Sequence, residues 1–233
     1  MVVIMIKITD IFLLNVLNDL LNDDRSDFSE QEINEVMELY LDKDSLFSDN
    51  LSEIKYFKKV KKITFKDLFI NRDLLINICQ LDSLEELNFY NCNVSCLELL
   101  NRTNIIKLVI DNCIVDDLYA VNNLKQLNEL YLDNLEMIDL KKMSIIRNIK
   151  VLSFVNTNLI NEEYFIYMNS IERLAICGSQ VKDISNLLYF DNLKILVIDE
   201  DQAKLNKEYV MELMDKRVKV VDYSNRDVVM YYE

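Results

Sequence analysis

Apolar residues recur along the chain in the pattern L-x-x-L-x-L, where L is any large apolar residue and x is mostly polar. One copy begins at Leu84 and the next begins at Ile105, 21 residues later. The apolar positions of the eight copies are Val60/Ile63/Phe65, Leu84/Leu87/Phe89, Ile105/Leu108/Ile110, Leu127/Leu130/Leu132, Ile149/Leu152/Phe154, Ile171/Leu174/Ile176, Leu193/Leu196/Ile198 and Val218/Val221/Tyr223. A pattern kept in constant register indicates a repeat architecture, which has to be recognised before other features are interpreted.

Each copy ends in an apolar–polar–apolar alternation, which is typical of a short β-strand with one buried face. A lone strand in each repeat can satisfy its backbone only by pairing with the same strand of neighbouring repeats. We therefore predict a parallel sheet of about eight strands, roughly 35–40 Å long at ~4.8 Å per strand. The rest of each repeat returns on the other side in segments as short as that around Leu97 and Leu100, which suit single helical turns or 3₁₀ pieces. A longer helix is predicted over residues 200–217.

Residues 1–59 do not follow this pattern, and their apolar spacing predicts three helices. The apolar positions are Ile11/Leu14/Leu17/Leu20/Leu21, Ile33/Val36/Met37/Tyr40 and Leu51/Ile54/Phe57. Ser29 and Glu32 form a capping-box sequence that opens the second helix. The first repeat of a solenoid exposes its core unless an atypical element covers it. We therefore interpret residues 1–59 as a helical N-terminal cap and 60–233 as a domain of about eight repeats, the last one atypical. The alternative, a separate adaptor bundle, is one that 59 residues could barely support.

The repeats resemble the leucine-rich repeat family, whose pattern is L-x-x-L-x-L-x-x-N/C-x-L over 20–29 residues. Cys92 and Cys113 match its ninth position, whereas Leu135 departs from it. The short repeats are similar to those of the internalin-like subtype. The resemblance implies an α/β fold, namely a right-handed solenoid with a parallel β-sheet on its concave face. It is specific for the fold and leaves the function open.

Composition excludes several classes of function. The chain has 233 residues, a formal net charge of −14, no His and one Gly. The missing His removes the commonest general base and transition-metal ligand, and a single Gly cannot build a glycine-rich phosphate loop. The negative charge disfavours nucleic acid and anionic membranes as partners, and it favours a basic protein. We therefore predict no enzyme activity, no cofactor, no metal site, no nucleic-acid partner and no membrane partner.

The charges are unevenly distributed. Residues 1–54 carry a net charge of −10, and residues 55–72 carry +6. Runs of like charge usually form solvated faces or internal ion pairs. We therefore expect the basic stretch to face the acidic segment that precedes it.

The five cysteines indicate a reducing environment, because a secreted disulfide framework has an even and denser set. Cys92 and Cys113 are expected as stacked, buried, reduced thiols, and a disulfide between them would need strict geometry. Cys177 is expected to face solvent on the concave side, as the thiol most open to modification. No signal peptide and no apolar run of ~18 residues is evident. These features favour a cytoplasmic location.

The outward strand positions offer a candidate binding surface. In the fold implied by the resemblance, the second, third, fifth and seventh positions of each repeat form the concave face. Many of them are apolar, and an exposed apolar patch with an acidic rim is typical of a protein-binding surface. The alternative is that β-branched residues simply suit strands. The predicted partner-binding residues are Tyr90, Val109, Asp111, Tyr131, Asp133, Val151, Val155, Ala175, Ile195, Val197 and Asp199. The eighth-position Asn91, Asn112, Asn134 and Asn156 are expected to be structural, because Asn accepts turn geometry.

Three functions remain open at this point. The first is a non-catalytic interaction module, monomeric when free, that binds a partner protein on the concave face. The second is an acidic inhibitor or immunity-type protein that masks a basic enzyme, which predicts salt-sensitive association. The third, implied by the internalin-like repeats, is a surface adhesin or effector.

Overall fold

The computed structural model describes residues 4–45, 51–143 and 148–223. The chain divides into two compact units. The first unit comprises Met1–Leu108 and Cys113–Gln126, and the second comprises Val109–Asn112 and Leu127–Glu233. No helix in the described ranges is long and apolar enough to cross a membrane.

The first unit begins with strand β1 (Met5–Lys7), helix α1 (Ile11–Leu21), strand β2 (Asp27–Ser29) and the single-turn helix α2 (Glu30–Ile33). Strands β1 and β2 pair antiparallel. Helix α1 is the first predicted helix; the Asp10 side chain caps its N-terminus, and Leu13 and Leu17 are buried. The predicted capping box is formed at the start of α2, where Ser29 and Glu32 exchange side-chain to backbone hydrogen bonds.

The prediction that the second helix continues to Tyr40 is wrong, because α2 ends at Ile33. Residues Glu38–Asp42 form strand β3, which pairs in parallel with β4 (Lys62–Lys66). The residues that face the core in β3 are Leu39 and Leu41.

A signal for this strand was present in the sequence. Val36, Leu39 and Leu41 repeat the spacing of Val60, Ile63 and Phe65 with a displacement of 24 residues. All three of the earlier residues are buried, and the register places Leu39 beside Ile63. Burial and strand pairing thus outweigh the local helical spacing. The sheet therefore reaches into residues 1–59, and the division at residue 59 stays a prediction.

The first unit then runs through alternating strands and short helical segments. These are a 3₁₀ helix (Ser52–Tyr56), β4, β5 (Phe69–Ile70), α3 (Arg72–Ile78), β6 (Glu86–Tyr90), β7 (Asn93–Val94), a 3₁₀ helix (Leu97–Arg102), β8 (Lys107–Asp111, whose last three residues belong to the second unit), β9 (Ile114–Val115) and a 3₁₀ helix (Leu118–Asn123). Strands β4 and β6 pair in parallel, and their Phe65 and Phe89 rings stack with centroids 5.7 Å apart. Strands β5, β7 and β9 form a smaller parallel sheet.

The basic stretch pairs mostly with the repeats that follow it. Lys58 forms the expected ion pair with the preceding acidic segment, with its Nζ 2.6 Å from the Glu30 carboxylate. The other described pairs run forward along the solenoid: Lys61–Glu85, Lys62–Glu86 and Arg72–Glu98. The expectation is therefore correct for Lys58 only. In each of these three pairs the cation and the carboxylate belong to neighbouring repeats.

The second unit contains the remaining elements. They are β10 (Glu129–Asp133), β11 (Met137–Asp139), α4 (Leu140–Met143), β12 (Val151–Ser153), β13 (Asn158–Ile160), a 3₁₀ helix (Glu162–Tyr167), β14 (Arg173–Ala175), a 3₁₀ helix (Ser185–Tyr189), β15 (Ile195–Ile198), α5 (Glu200–Leu205), α6 (Lys207–Asp215) and β16 (Lys219–Asp222). Strands β10, β12, β14, β15 and β16 pair in this order, all in parallel. The predicted helix over 200–217 is divided at Asn206, whose side chain bonds the backbone of Lys182 and Ile184.

Candidate functional site

The candidate site lies on one face of the sheet of the second unit, called here the inner face. It carries the third, fifth and seventh positions of each repeat, because successive strand residues point to opposite sides. Counted by strand pairing, the third-position row is Glu129, Val151, Arg173, Ile195 and Lys219; the fifth-position row is Tyr131, Ser153, Ala175, Val197 and Val221; the seventh positions include Asp133, Val155, Cys177 and Asp199. The predicted register of the last repeat, which aligned Val221 with Leu196, is wrong by one residue, because Leu196 pairs with Val220. The first two rows are in register across all five strands.

The fifth-position row is buried from Tyr131 to Val197, contrary to the predicted exposed patch, and only Val221 at its end is half-buried. Tyr131, Ala175 and Val197 have exposed fractions of 3%, 1% and 1%, and Val109 is also buried. In-register strands lie ~4.8 Å apart, so that side chains at equivalent positions pack against one another. The prediction that these residues form an accessible apolar patch is wrong.

A compact apolar cluster occupies the part of the inner face nearest β15. It is made of Val155, Ala175, Cys177 and Val197, and Ile195 and Val221 pack against it. The expectation that Cys177 faces solvent is wrong, because this residue is fully buried. Burial, with a contribution from the nearby Asp133 carboxylate, raises the pKa of the Cys177 thiol to about 12. A thiol in this environment is protonated and unreactive near neutral pH.

Two of the predicted rim aspartates support turns. The Asp111 carboxylate accepts a hydrogen bond from the Asn134 side chain at 2.6 Å. Asp199 caps helix α5 and accepts from the backbone N–H groups of Gln202 at 2.8 Å and Gly178 at 3.0 Å. Both carboxylates remain half-buried, so that they can still contribute charge to the rim.

Asp133 is the exceptional residue of this face, because its carboxyl group is fully buried. Its Oδ1 accepts from the Ser153 hydroxyl at 2.7 Å and from the Val155 N–H at 2.8 Å. Its Oδ2 has no hydrogen-bond partner in the described part of the chain. Burial raises the pKa of Asp133 to about 7, the two hydrogen bonds oppose this change, and the Asp111 charge adds to it. Nothing in the sequence indicated this burial, since the seventh position was expected to be accessible.

The eighth-position asparagines adopt the left-handed backbone conformation, which confirms their structural role. In the second unit, Asn112, Asn134 and Asn156 have φ values of 50°, 53° and 53°. The Asn156 side chain donates to the Asn134 side-chain oxygen at 3.0 Å. The next repeat has Gly178 at this position, with a φ of 71°. This column of turns links equivalent positions of neighbouring repeats.

The most accessible row of the inner face is the third-position row. Val151 and Ile195 are half-buried, whereas Arg173 and Lys219 are exposed. Because five strands carry the row, it extends over ~19 Å. Its apolar and cationic residues alternate from β12 to β16. Sequence reasoning included Val151 and Ile195 but missed Arg173, which the same register would have indicated. It also missed Lys219, because the predicted register of the last repeat placed this residue at the second position.

Charged residues at the second position flank this row. The Glu172 carboxylate contacts Lys150 Nζ at 3.6 Å and also pairs with Lys194. These contacts lower the pKa of Glu172, the hydrogen bond from Lys194 being the main cause. The row therefore has a charged border on one side and the buried fifth-position residues on the other.

The remaining predicted residue, Tyr90, belongs to the first unit and is half-buried. In that unit the third positions hold a ladder in which Glu86 lies 3.4 Å from both Lys62 and Lys107. These ion pairs and the Asn88 hydrogen bond outweigh burial and lower the pKa of Glu86. Within the described ranges, no group of three or more His, Cys, Asp or Glu side chains could hold a metal ion.

No family model and no curated protein matches the sequence. Solved structures do match. An internalin (inlF) of Listeria monocytogenes has a TM-score of 0.66 and 14% identity, over 91% of this chain and 63% of its own. Internalin C2 of the same species has a TM-score of 0.61 and 18% identity, over 83% and 88%. A leucine-rich repeat protein of Leptospira interrogans has a TM-score of 0.56 and 17% identity, over 83% and 56%.

The predicted α/β leucine-rich repeat fold is thereby confirmed, since these likenesses agree with the parallel pairing of equivalent strands in successive repeats. At these identities the comparison shows the fold alone. The chain spans less than two thirds of the first internalin and of the Leptospira protein.

Proposed function

We propose that this chain is a non-catalytic protein-interaction module that binds a partner protein along the third-position row of the second unit. The observation that carries the proposal is the in-register row of Val151, Arg173, Ile195 and Lys219. Solenoid repeats align equivalent side chains on extended faces, which these folds use for binding.

The row provides two kinds of contact. Val151 and Ile195 offer apolar surface that is only half-buried in the free protein. Arg173 and Lys219 offer cations at the intervening positions, and Arg is among the residues enriched at binding hot spots. A partner segment with apolar side chains and carboxylates at matching intervals would fit this pattern. The buried Tyr131, Val155, Ala175 and Val197 would then support the row from beneath.

The accessible members of the predicted site remain within the proposal. Asp111 and Asp199 lie at the seventh positions and supply negative charge beyond the buried rows. Asp133 stays in the proposal as a positioning group, because it bonds Ser153 at the end of β12 and Val155 just beyond it. Tyr90 lies in the first unit and would contribute a contact of its own.

The overall charge supports a second candidate function. A net charge of −14 would steer the chain towards a basic protein, as expected of an acidic inhibitor that masks a basic enzyme. The complex of such an inhibitor with its enzyme would weaken strongly as the salt concentration rises. A complex held mainly by apolar contacts to Val151 and Ile195 would persist at high salt.

The proposal also includes a monomeric free state and a cytoplasmic location. Finding the chain at the cell surface would favour the adhesin alternative.

Affinity capture with variants tests the proposal. Arg173→Glu and Ile195→Lys change accessible residues of the row and should reduce recovery of the principal partner at least tenfold. Ile160→Lys is the matched control, because Ile160 is 40% exposed on strand β13 of the smaller sheet of the same unit. Circular dichroism and urea unfolding establish that each variant is folded. Equal recovery by all folded variants would show that the partner binds elsewhere.

A further inference from the structure

Cys92 and Cys113 occupy the ninth position of two neighbouring repeats, and both belong to the first unit. The register of β7 and β9 pairs Asn93 with Ile114, the residues that directly follow the two cysteines. The Ile114 N–H donates to the Cys92 carbonyl oxygen at 2.9 Å. The Cys92 N–H donates to the Cys113 Sγ at 3.3 Å. The two side chains are therefore stacked neighbours, as the sequence predicted.

Both thiols point to strand β6: Cys92 Sγ donates to the Tyr90 carbonyl oxygen at 3.2 Å, and Cys113 Sγ donates to the Phe89 carbonyl oxygen at 3.4 Å. Both cysteines are reduced. The neighbouring Cys113 side chain lowers the pKa of Cys92, although burial opposes the change. Cys92 is 2% exposed, whereas Cys113 is half-buried and thus more accessible than the sequence predicted. Adjacent paired strands lie ~4.8 Å apart, within the Cα separation of about 4.4–6.8 Å that disulfides require.

We propose that Cys92 and Cys113 form a reversible disulfide that ties two neighbouring repeats together in the presence of hydrogen peroxide. The Cys113 thiolate attacks one oxygen of the peroxide, the O–O bond breaks, and the other oxygen leaves as hydroxide. The Cys92 thiolate then attacks the Cys113 sulfur, the S–O bond breaks, and a second hydroxide leaves. The protons released by the two thiols convert both hydroxides to water, so that two thiols and one peroxide give one disulfide and two waters. A dithiol reductant reverses the reaction by exchange.

The surroundings of Cys79 disfavour it as an alternative partner. Cys79 donates its thiol hydrogen to the Leu99 carbonyl, and burial raises its pKa to about 11. A bridge between positions 92 and 113 also closes a loop in the unfolded chain, which stabilises the folded state. Oxidation should therefore raise the midpoint of urea unfolding.

Peptide mapping of the intact folded chain tests this inference. The full-length protein is treated with equimolar hydrogen peroxide, alkylated and digested, and disulfide-linked peptides are identified by mass spectrometry. We expect a Cys92–Cys113 peptide that dithiothreitol removes, together with a higher unfolding midpoint. Cys92→Ser and Cys113→Ser should each abolish the linked peptide. In Cys113→Ser the serine hydroxyl can still accept the hydrogen bond from the Cys92 N–H, which preserves the fold.

Cys96→Ser is the matched control, because it removes another partly accessible thiol of the same unit and should leave the bridge intact. A bridge that forms only in urea would overturn the inference. Native oxidation that joins other cysteines, or that yields sulfinic acid at Cys113 without any bridge, would also overturn it.

Discussion

Asp133→Asn should make the stability of the protein less dependent on pH. The Asp133 carboxyl group is fully buried, and its Oδ2 has no hydrogen-bond partner in the described ranges. Burial raises its pKa from 3.8 to about 7. The charged group that influences it is Asp111, and the Asp133 charge in turn raises the pKa of Tyr131 and of Cys177. The Asn side chain has nearly the same shape, and its oxygen can still accept from Ser153 and Val155.

The direction of this pH effect follows from proton binding to Asp133 in the folded and in the unfolded protein. Between about pH 4 and pH 7 the folded protein holds a proton on Asp133 that the unfolded chain has released. The stabilisation is therefore complete below about pH 4 and is lost as the pH rises to about 7. Each pH unit within this window is worth about 1.36 kcal/mol, so that the interval from pH 5 to pH 8 contains about 2.7 kcal/mol.

Urea unfolding of the wild type and Asp133→Asn at pH 5 and pH 8 measures this quantity. The difference in unfolding free energy between variant and wild type should shift in favour of the variant by about 2–3 kcal/mol from pH 5 to pH 8. Other titrating groups are common to both proteins and cancel in the comparison. A difference that is the same at both pH values would refute the reasoning, because Asp133 would then ionise alike in the folded and unfolded states.

Two further substitutions test the turns between repeats. Gly178→Ala should destabilise the protein by about 2–3 kcal/mol in urea unfolding, because φ is 71° and the new Cβ would lie 2.1 Å from Asn156 Oδ1. If Gly178→Ala costs as much stability in a protein that also carries Asn156→Gly, the clash with the Asn156 side chain is not a cause of the loss. Thr157→Val should cost about 1–3 kcal/mol, since the Thr157 hydroxyl accepts from the Leu135 N–H at 3.0 Å. Thr157→Ser keeps the acceptor and should lose much less, and a comparable loss would contradict the argument.

The repeat itself was predictable because the buried positions recur with a fixed spacing. Leu130, Leu152, Leu174 and Leu196 pair in register and are buried, as the pattern requires. The strand at 38–42 was missed because Val36 and Tyr40 also fit a helical spacing. A choice between these two periods depends on whether a neighbouring strand is available, which local spacing does not reveal.

The candidate site was predicted in position but not in exposure. Alternation shows which face a residue such as Val197 points to, and it does not show how closely its neighbours pack on that face. Tyr131 and Cys177 were therefore expected at the surface and are buried. The burial of Asp133 likewise depends on Ser153 and Val155 in the next repeat, a contact that no single repeat encodes.

The central claim is that a partner protein docks on the third-position row of the second unit. Site-specific photo-crosslinking tests it most directly, with a benzophenone amino acid placed at position 173 in one variant and at position 160 in another. The account predicts a protein adduct from position 173 and none from position 160 in the organism that makes the chain. An adduct from position 160 alone, or no adduct from position 173 in the folded protein, would contradict it.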